Sequence, residues 1–447
     1  MCHLITNHLA LSGIAESFGL GALSRTQSAA QLGANHDPYV GLIAAELVRL
    51  HEGLSSMGRL RRFLIEHPGF IWLLGFPLAP APETALGFNP QTSLPTYRHF
   101  TRMLRTLPNL ALQFLLADSV RLILDELHAQ QIPIPDCISL DTKHILAWVQ
   151  ENNPKAYVPD RFNKARQPNG DPDCRLGCKR RHNRAAAPAT PTGLPVSGQR
   201  LKVGEYYWGY GSGVVVAKVP DRGEFVIAEL TQPFDRGDVT YFFPLMQQTE
   251  ERLGGRPHYA TLDAAFDAWY IYAYFCREND PTSGFAAIPF AEKGNYKAKQ
   301  RQFAPNGWPL CTAGLAMPLK FTYLDRSTCI LEHERGKYVC PLTATAPAHQ
   351  TCPIRHPNWK KGGCTAMMPT SIGARIRYTL DRDSEVYQQI YRQRTAVERI
   401  NSQAVNLGIE RPHWRNGQAI ANQNTLIYLL INLRFLQRLR ERREHLS

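Results

Sequence analysis

Residues 137–146 have the sequence CISLDTKHIL, in which the short apolar run CISL is followed directly by Asp141. An apolar run of this length, next to a proline-rich segment, predicts a buried strand. The chain before Pro133 carries its apolar residues at helical spacing and shows few strand signals. We therefore predict that a sheet-containing core begins near residue 131.

Strand and helix patterns alternate downstream of this stretch. A β-hairpin is predicted on either side of the turn at 221–223, from residues 202–219 and 225–230. Three segments then follow in the order helix, strand running into an acid, helix: 239–254, 258–266 and 267–279. This order predicts an α/β fold, a mixed sheet with helices on its faces.

The remaining parts of the chain have different patterns. Residues 1–130 predict an all-helical domain that precedes the first part of the core, 131–280. Residues 281–372, rich in Pro, Gly and Cys, predict a β-rich insertion, and residues 373–447 complete the core and add C-terminal helices.

Arginines on the N-terminal helices suit a duplex-binding module, with a solvated basic face as the alternative. They are Arg59, Arg61, Arg62, Arg98, Arg102 and Arg105.

The composition limits the classes of protein to consider. The chain has 447 residues, of which 44% are hydrophobic, enough for two or three domains with cores. Its 51 basic and 38 acidic residues give a net charge of +13, which favours a polyanionic partner such as nucleic acid. No apolar run approaches the roughly 18 residues of a membrane span, and the first residues lack a secretory signal pattern. We expect a cytosolic protein without membrane contact.

Three acidic residues occupy positions that folding alone does not explain. Asp141 and Asp263 each end a predicted strand, and Glu398 lies within a predicted helix. A solvated or capping role is the simpler interpretation of each acid alone. Together, two strand-end carboxylates and one helical carboxylate can hold a pair of magnesium ions, because small hard cations prefer oxygen ligands. Two such ions, about 4 Å apart, activate an attacking hydroxyl and stabilise the leaving oxygen of a phosphodiester.

The helix around Glu398 has a surface suited to a phosphate backbone. Tyr391, Arg394 and Glu398 are spaced i, i+3 and i+7, which places all three on one helical face. The acid can hold a metal while Arg394 pairs with a phosphate and Tyr391 donates a hydrogen bond. The alternative is an amphipathic helix with an ordinary i, i+4 ion pair between Arg394 and Glu398.

These motifs resemble those of the DDE transposases of bacterial insertion sequences, most closely the group whose third motif is Tyr-x-x-Arg-x-x-x-Glu. The second motif, Asp-x-(Gly/Ala)-(Tyr/Phe)-Asp, is matched at residues 263–267, and the order of all three motifs over 137–408 also fits. The family often has Lys seven residues after the Glu, where this chain has Val405. Arg399 or Arg411 is therefore a candidate for the missing phosphate contact.

The resemblance implies a ribonuclease-H-like core and a metal-dependent transposase. Asp141, Asp263 and Glu398 would be the catalytic residues and would bind two Mg²⁺ ions, which Mn²⁺ can replace. Tyr391, Arg394 and Arg399 would contact DNA. The implied partners are the terminal inverted repeats of the element and the target DNA, bound by a homodimer in the bacterial cytoplasm at the nucleoid. Two alternatives stay open: a nuclease on the same core that joins no strands, and a catalytically silent DNA-binding protein derived from a transposase.

Two further features allow two interpretations each. Asp267 either caps the helix that follows it or takes part in catalysis. The basic run Lys179, Arg180 and Arg181 is either a solvated loop or a contact to the DNA backbone near the first Asp.

The cysteines allow a zinc site as well as unconnected thiols, because the expected compartment keeps thiols reduced. The insertion holds a dense set whose spacing lacks paired knuckles: Cys311, Cys329, Cys340, Cys352 and Cys364. A second string, formed by Cys174, Cys178 and His182, favours incidental thiols in a basic loop.

Overall fold

A computed structural model describes residues 39–180, 204–276, 283–291, 301–327, 330–344 and 351–444. Six helices precede the first strand within 39–136: α1 (Tyr39–His51), α2 (Met57–Glu66), α3 (Gly69–Leu73), α4 (Pro90–Ser93), α5 (Tyr97–Thr106) and α6 (Asn109–Ala129). The helical character predicted for this region is confirmed there, while residues 1–38 lie outside the described part.

The core alternates strands and helices as the sequence predicts. Its elements are β1 (Cys137–Leu146), β2 (Arg175–Arg180), β3 (Gly204–Val219), β4 (Gly223–Pro233), α7 (Phe242–Leu253), β5 (Tyr259–Thr261), α8 (Trp269–Phe275) and β6 (Phe285–Ala287). The hairpin β3–β4 turns through Asp221 and Gly223, both with positive φ, and α7 ends at Gly254 in the left-handed conformation.

One mixed sheet contains all six of these strands. Its order is β2–β3–β1–β5–β6, with β4 paired to β3 beyond the segment that β2 covers. β1 is antiparallel to β3 and parallel to β5, and β5 is parallel to β6. An antiparallel unit and a parallel unit therefore meet at β1, and the predicted α/β class is confirmed.

Apolar cores cover both faces of the sheet. Val214 and Val216 belong to one cluster, whereas Val215 and Ala217 belong to the other, as side-chain alternation along β3 requires. The first cluster also contains residues of α1, α2, α5 and α6. The predicted boundary at residue 130 is therefore crossed by one continuous core.

The insertion carries a sheet of its own, β7–β8–β9. Its elements are β7 (Leu319–Asp325), β8 (His333–Val339), α9 (Pro341–Ala344) and β9 (Thr365–Pro369). Within the predicted insertion, 281–372, the short strand β6 at 285–287 is an edge strand of the main sheet and does not belong to this second sheet.

Four helices follow the insertion: α10 (Ile372–Thr379), α11 (Glu385–Arg392), α12 (Thr395–Asn406) and α13 (Gly417–Glu444). α13 packs along α6 and β4, and buried amides join them: the Asn432 side chain bonds both Val226 N and Val226 O and donates to Ser119. Among the described helices, no single one is long and apolar enough to cross a membrane; α4–α6 pass only as a pair bent by 80°.

Asp267 has a different role from the expected helix cap. Helix α8 begins after Ala268, and the Asp267 carboxylate instead accepts two bonds from Arg377 of α10, at 2.7 and 2.5 Å. The Tyr272 hydroxyl and the Ala291 amide also donate to it. Burial alone would raise the pKa of Asp267, but the Arg377 bonds and charge outweigh it and lower that pKa. Asp267 thus ties α10 to the core.

We predict that Asp267→Asn lowers the free energy of unfolding by about 3–5 kcal/mol at pH 7, because it leaves Arg377 without its buried counter-charge. The pKa of Asp267 is lower in the folded protein than in the unfolded chain. The stabilisation is therefore fully present when the pH is above the pKa of the unfolded state, and it is lost as the pH falls through the pKa of the folded state. Urea titrations at pH 7 and pH 3 measure both effects. The control is Asp125→Asn, in an exposed pair with Arg121, which should cost at most about 1 kcal/mol. A cost equal to that of the control, or one unchanged at pH 3, would contradict the assignment.

Candidate active site

The pairing of β1 with β5 brings the first two acids side by side. Ser139 is the last β1 residue in this parallel pair and lies opposite Thr261. Asp141 and Asp263 each follow two residues later, so the continued register places them next to each other on one face. Asp263 comes just after its strand, as expected. Asp141 does not end a strand, however, because β1 continues to Leu146 along β3.

Asp141 is a partly buried carboxylate with few partners. Its side chain is 16% exposed, and its Oδ1 accepts the Thr142 amide at 2.9 Å. Its Oδ2 lies 3.4 Å from Asn401 Nδ2 and 3.6 Å from Arg394 Nη2. Burial raises the pKa of Asp141 to about 6; Arg394 opposes that rise, and the charge of Asp263 adds to it.

A fourth acid, Asp238, also lies at this site and was not predicted. It begins a 3₁₀ turn between β4 and α7, and its Oδ1 accepts the Thr142 hydroxyl at 2.6 Å. Its charge raises the pKa of both Asp141 and Asp263, in each case after burial as the main cause. In the sequence, an acid ahead of a helix is indistinguishable from an ordinary cap.

The third acid is brought in by a break between two helices. The sequence predicts one continuous helix through 391–401, but α11 ends at Arg392 and α12 begins at Thr395. The Ser139 hydroxyl donates to the carbonyl of Gln393 at 3.0 Å, and the Thr261 hydroxyl to that of Tyr391 at 3.5 Å. The two strands that carry the first acids therefore also hold the helix break.

Arg394 joins the first and third acids. Its Nη1 lies 2.7 Å from Glu398 Oε1, and its Nη2 lies 3.6 Å from Asp141 Oδ2. The ion pair between Arg394 and Glu398 that the amphipathic-helix interpretation predicts therefore exists. The Arg394 guanidinium, however, also reaches Asp141 in the sheet. Burial raises the pKa of Tyr391, Arg394 opposes the rise, and the charges of Asp263, Glu398 and Asp141 add to it. Tyr391 and Arg394 thus stand within electrostatic reach of all three acids.

The other predicted DNA contacts lie away from this cluster. The Arg399 guanidinium is paired with the carboxylate of Glu224 on β4. Lys179 is an exposed residue of β2 opposite Glu205, nine residues along β3 from the partner of Asp141, Val214. Nine residues of strand span about 30 Å. Lys179 therefore does not lie near Asp141, where the sequence analysis had placed the basic run. Arg180 ends β2, and Arg181 lies outside the described residues.

The side chains of this cluster offer the type of ligand atom that divalent cations prefer. They offer hard oxygen ligands, and buried Asn401 beside Asp141 has an Oδ1 atom without a hydrogen-bond partner. Across the described ranges, no three His, Cys, Asp or Glu side chains stand in an arrangement that could hold a metal ion. At the acid cluster, the Glu398 carboxylate is 53% exposed and paired with Arg394.

Three of the predicted zinc ligands approach each other in the insertion. Cys364 shares a hydrogen bond with Cys340, and burial first, then the neighbouring Cys340 and Cys311, raise the pKa of its thiol to about 11. Cys352 accepts the backbone amide of His356 at 3.5 Å. Cys329 lies outside the described residues. Zinc binding by this set stays a prediction. Of the second string, Cys174 is buried and Cys178 exposed, and His182 is again outside.

A comparison with protein families gives one match. The family model described as a transposase DDE domain matches residues 191–433, which is more than half of the chain. The matched part contains Asp263 and Glu398, while Asp141 precedes it. No curated protein and no solved structure matches the chain.

We predict that Asp141→Asn stabilises the protein in metal-free buffer by about 1–3 kcal/mol at pH 8 and much less at pH 4. The raised pKa means that the stability contribution of Asp141 is present below the unfolded carboxyl pKa and is lost as the pH rises through about 6. Denaturant titrations in EDTA at both pH values test this. Asp136→Asn, at an exposed acid just before β1, is the control. A gain that does not grow with pH would contradict the burial of an ionised Asp141.

The described residues of the insertion contain no ready three-ligand metal site, so zinc binding by Cys311, Cys340 and Cys364 requires these thiols to rearrange. If they bind zinc, the chain purified without chelators should contain about one zinc ion, measured by mass spectrometry of the metal. Cys340→Ser and Cys364→Ser should each lose most of it, because both remove a thiolate ligand. Cys178→Ser, at an exposed thiol of β2, should keep it. Equal zinc in all variants, or none in the unaltered protein, would show that these thiols bind no metal.

Proposed function

Because this chain belongs to the transposase DDE domain family, we propose that it cleaves DNA at the ends of an insertion sequence and joins those ends to target DNA. The observation that supports this best is that Arg394 contacts both Asp141 and Glu398 and its charge lowers the pKa of Asp263. The subgroup with the Tyr-x-x-Arg-x-x-x-Glu motif is part of the proposal.

The proposed core is ribonuclease-H-like. A mixed sheet supports it, in which an antiparallel unit, β4–β3–β1, continues into the parallel strands β5 and β6. Helices α7 and α8 pack on one face, and α6 and α13 enclose the antiparallel part.

Asp141, Asp263 and Glu398 are the proposed ligands of two Mg²⁺ ions, or Mn²⁺ in their place. When bound, such ions increase the nucleophilicity of an attacking hydroxyl and offset charge on the leaving oxygen. Glu398 must then exchange its ion pair with Arg394 for a ligand role. Arg394, released from Glu398, is placed to pair with a phosphate, while the Tyr391 hydroxyl donates a hydrogen bond to the same backbone.

The proposed reaction has two in-line displacements at phosphorus. Water first breaks a phosphodiester at the element end and leaves a 3′-hydroxyl. That oxygen then attacks a target phosphodiester, forms a new phosphorus–oxygen bond and displaces a target 3′-hydroxyl. The protein contributes positioning and charge stabilisation, and no covalent bond to the enzyme is needed.

DNA is the proposed partner, as terminal inverted repeats and as target. Two ends that are cleaved together call for two active sites, which is the reason to propose a homodimer on DNA, in the cytoplasm at the nucleoid. A catalytically silent DNA-binding protein is less well supported, since all three acids are retained. A nuclease without joining activity differs only in the second displacement.

We predict that Asp141→Asn, Asp263→Asn and Glu398→Gln each reduce cleavage of element-end DNA in Mg²⁺ by about 100-fold or more, because each removes negative charge from the metal-binding set. DNA affinity should change less than about threefold, since phosphate contacts elsewhere supply it. Gel assays of cleavage and of strand joining, with fluorescence anisotropy for binding, measure the three quantities.

Asp136→Asn is the matched control and should retain both reactions. Cleavage by Asp141→Asn at the rate of this control would sink the proposed site. Cleavage by the unaltered protein without any joined product would assign a nuclease instead, and DNA binding without cleavage in Mg²⁺ or Mn²⁺ would assign a silent binding protein.

A further inference from the structure

A groove lies at the far end of α12 from Glu398. It encloses about 730 Å³ between the segment 406–414 and the N-terminal helices α1, α2 and α5. Its walls are basic and aromatic, from residues far apart in the chain. The side chains that matter below are Tyr97, Arg105, Trp148, Arg411, His413 and Trp414.

Two arginines of this groove have no carboxylate partner among the described residues. Arg105 and Arg411 are exposed, and within the described part of the chain neither forms an ion pair with a carboxylate. Arg49, in contrast, also lines the groove but is held by buried Glu46 at 2.6 Å. Two cations thus remain for an external anion.

Trp148 is an exposed aromatic platform at the groove. It lies two residues beyond β1 and is 49% exposed. The Arg415 guanidinium lies 4.3 Å from the centre of its ring system, and the His413 ring lies 5.2 Å away. Arg415 therefore covers one face of the Trp148 ring, and an exposed ring that carries a cation on one face can stack an unpaired base on the other, whereas a duplex offers no free base face.

The groove is connected to the acid cluster through two elements. Glu398 is in the first turn of α12 and Asn406 ends it, so about 12 Å of helix separates them. Asp141 lies within β1 and Trp148 lies two residues beyond its end. The last amide of β1, at Leu146, donates to the carbonyl of Glu410 at 2.9 Å.

We propose that this groove binds an unpaired DNA strand that leaves the acid cluster, with a base stacked on Trp148 and phosphates on Arg105 and Arg411. The proposal rests on the proposed function for the identity of its ligand. It adds a binding site that the metal-ligand set does not contain, and it assigns the strand a direction, along α12 from Glu398 towards Asn406.

The test uses the full chain in EDTA with a fluorescein-labelled 15-nucleotide oligothymidine and with a 15-base-pair duplex. Trp148→Ala should weaken single-strand binding about 10-fold, because one base loses its stacking partner, and Trp148→Phe should restore most of it. Trp72→Ala is the matched control: Trp72 is 69% exposed on α3 and lies outside the groove. Thermal melting of each variant shows that it is folded.

A second pair of variants tests the phosphates. Arg105→Gln combined with Arg411→Gln should reduce the salt dependence of single-strand affinity by about 1.4 in the slope of log K against log salt. Arg326→Gln, at a 72% exposed arginine of the insertion outside the groove, should change it by less than half as much.

The outcomes separate this proposal from the proposed function. Single-strand affinity of Trp148→Ala equal to that of Trp72→Ala overturns the groove, whatever the cleavage assays show. A loss confined to the duplex also overturns it. Normal cleavage by Asp141→Asn overturns the proposed function, while a Trp148-dependent affinity would still support the groove.

Discussion

Two hydroxyl groups fix the third carboxylate relative to the other two. Ser139 and Thr261 lie opposite each other in the parallel pair of β1 and β5, two residues before Asp141 and Asp263. Residues two apart in a strand share a face, so the hydroxyls and the acids face the same helices. Each hydroxyl donates to a carbonyl at the break between α11 and α12. The break is where Arg394 stands, four residues before Glu398, and this contact makes one site from sequence-distant segments.

The same arrangement concentrates negative charge that the protein does not balance by itself. Asp141, Asp238 and Asp263 all have raised pKa values, in each case chiefly because of burial, and each lies near at least one other acid. Arg394 is the cation that lowers the pKa of both Asp141 and Asp263. A partly buried acid cluster with so little compensation costs folding free energy. Such a cost is retained where function needs the charge, and a divalent cation is the partner that would offset it.

The sequence sufficed for features set by local pattern. The strand before Asp263, the β3–β4 hairpin and the helix that ends at Gly254 follow from periodicity and turn residues, and the structure contains them. Features set by distant partners could not be predicted. Asp267 looks like a cap until Arg377, 110 residues away, is seen to hold it, and the helix break at 393–394 depends on hydroxyls of β1 and β5. Asp238 was missed because nothing nearby in the sequence marks it.

β1 and α12 carry both the acids and the groove, and this limits how DNA can reach the two places. β1 bears Asp141 and leads directly to Trp148, while α12 bears Glu398 in its first turn and leads to Arg411. A backbone hydrogen bond from the Leu146 amide to the Glu410 carbonyl joins the end of β1 to the segment that follows α12. The separation of the acids and the groove is therefore set by the length of one helix, not by a flexible linker. In the proposed complex, a DNA strand with a phosphate at Arg394 would therefore reach the groove after a number of nucleotides that this helix sets.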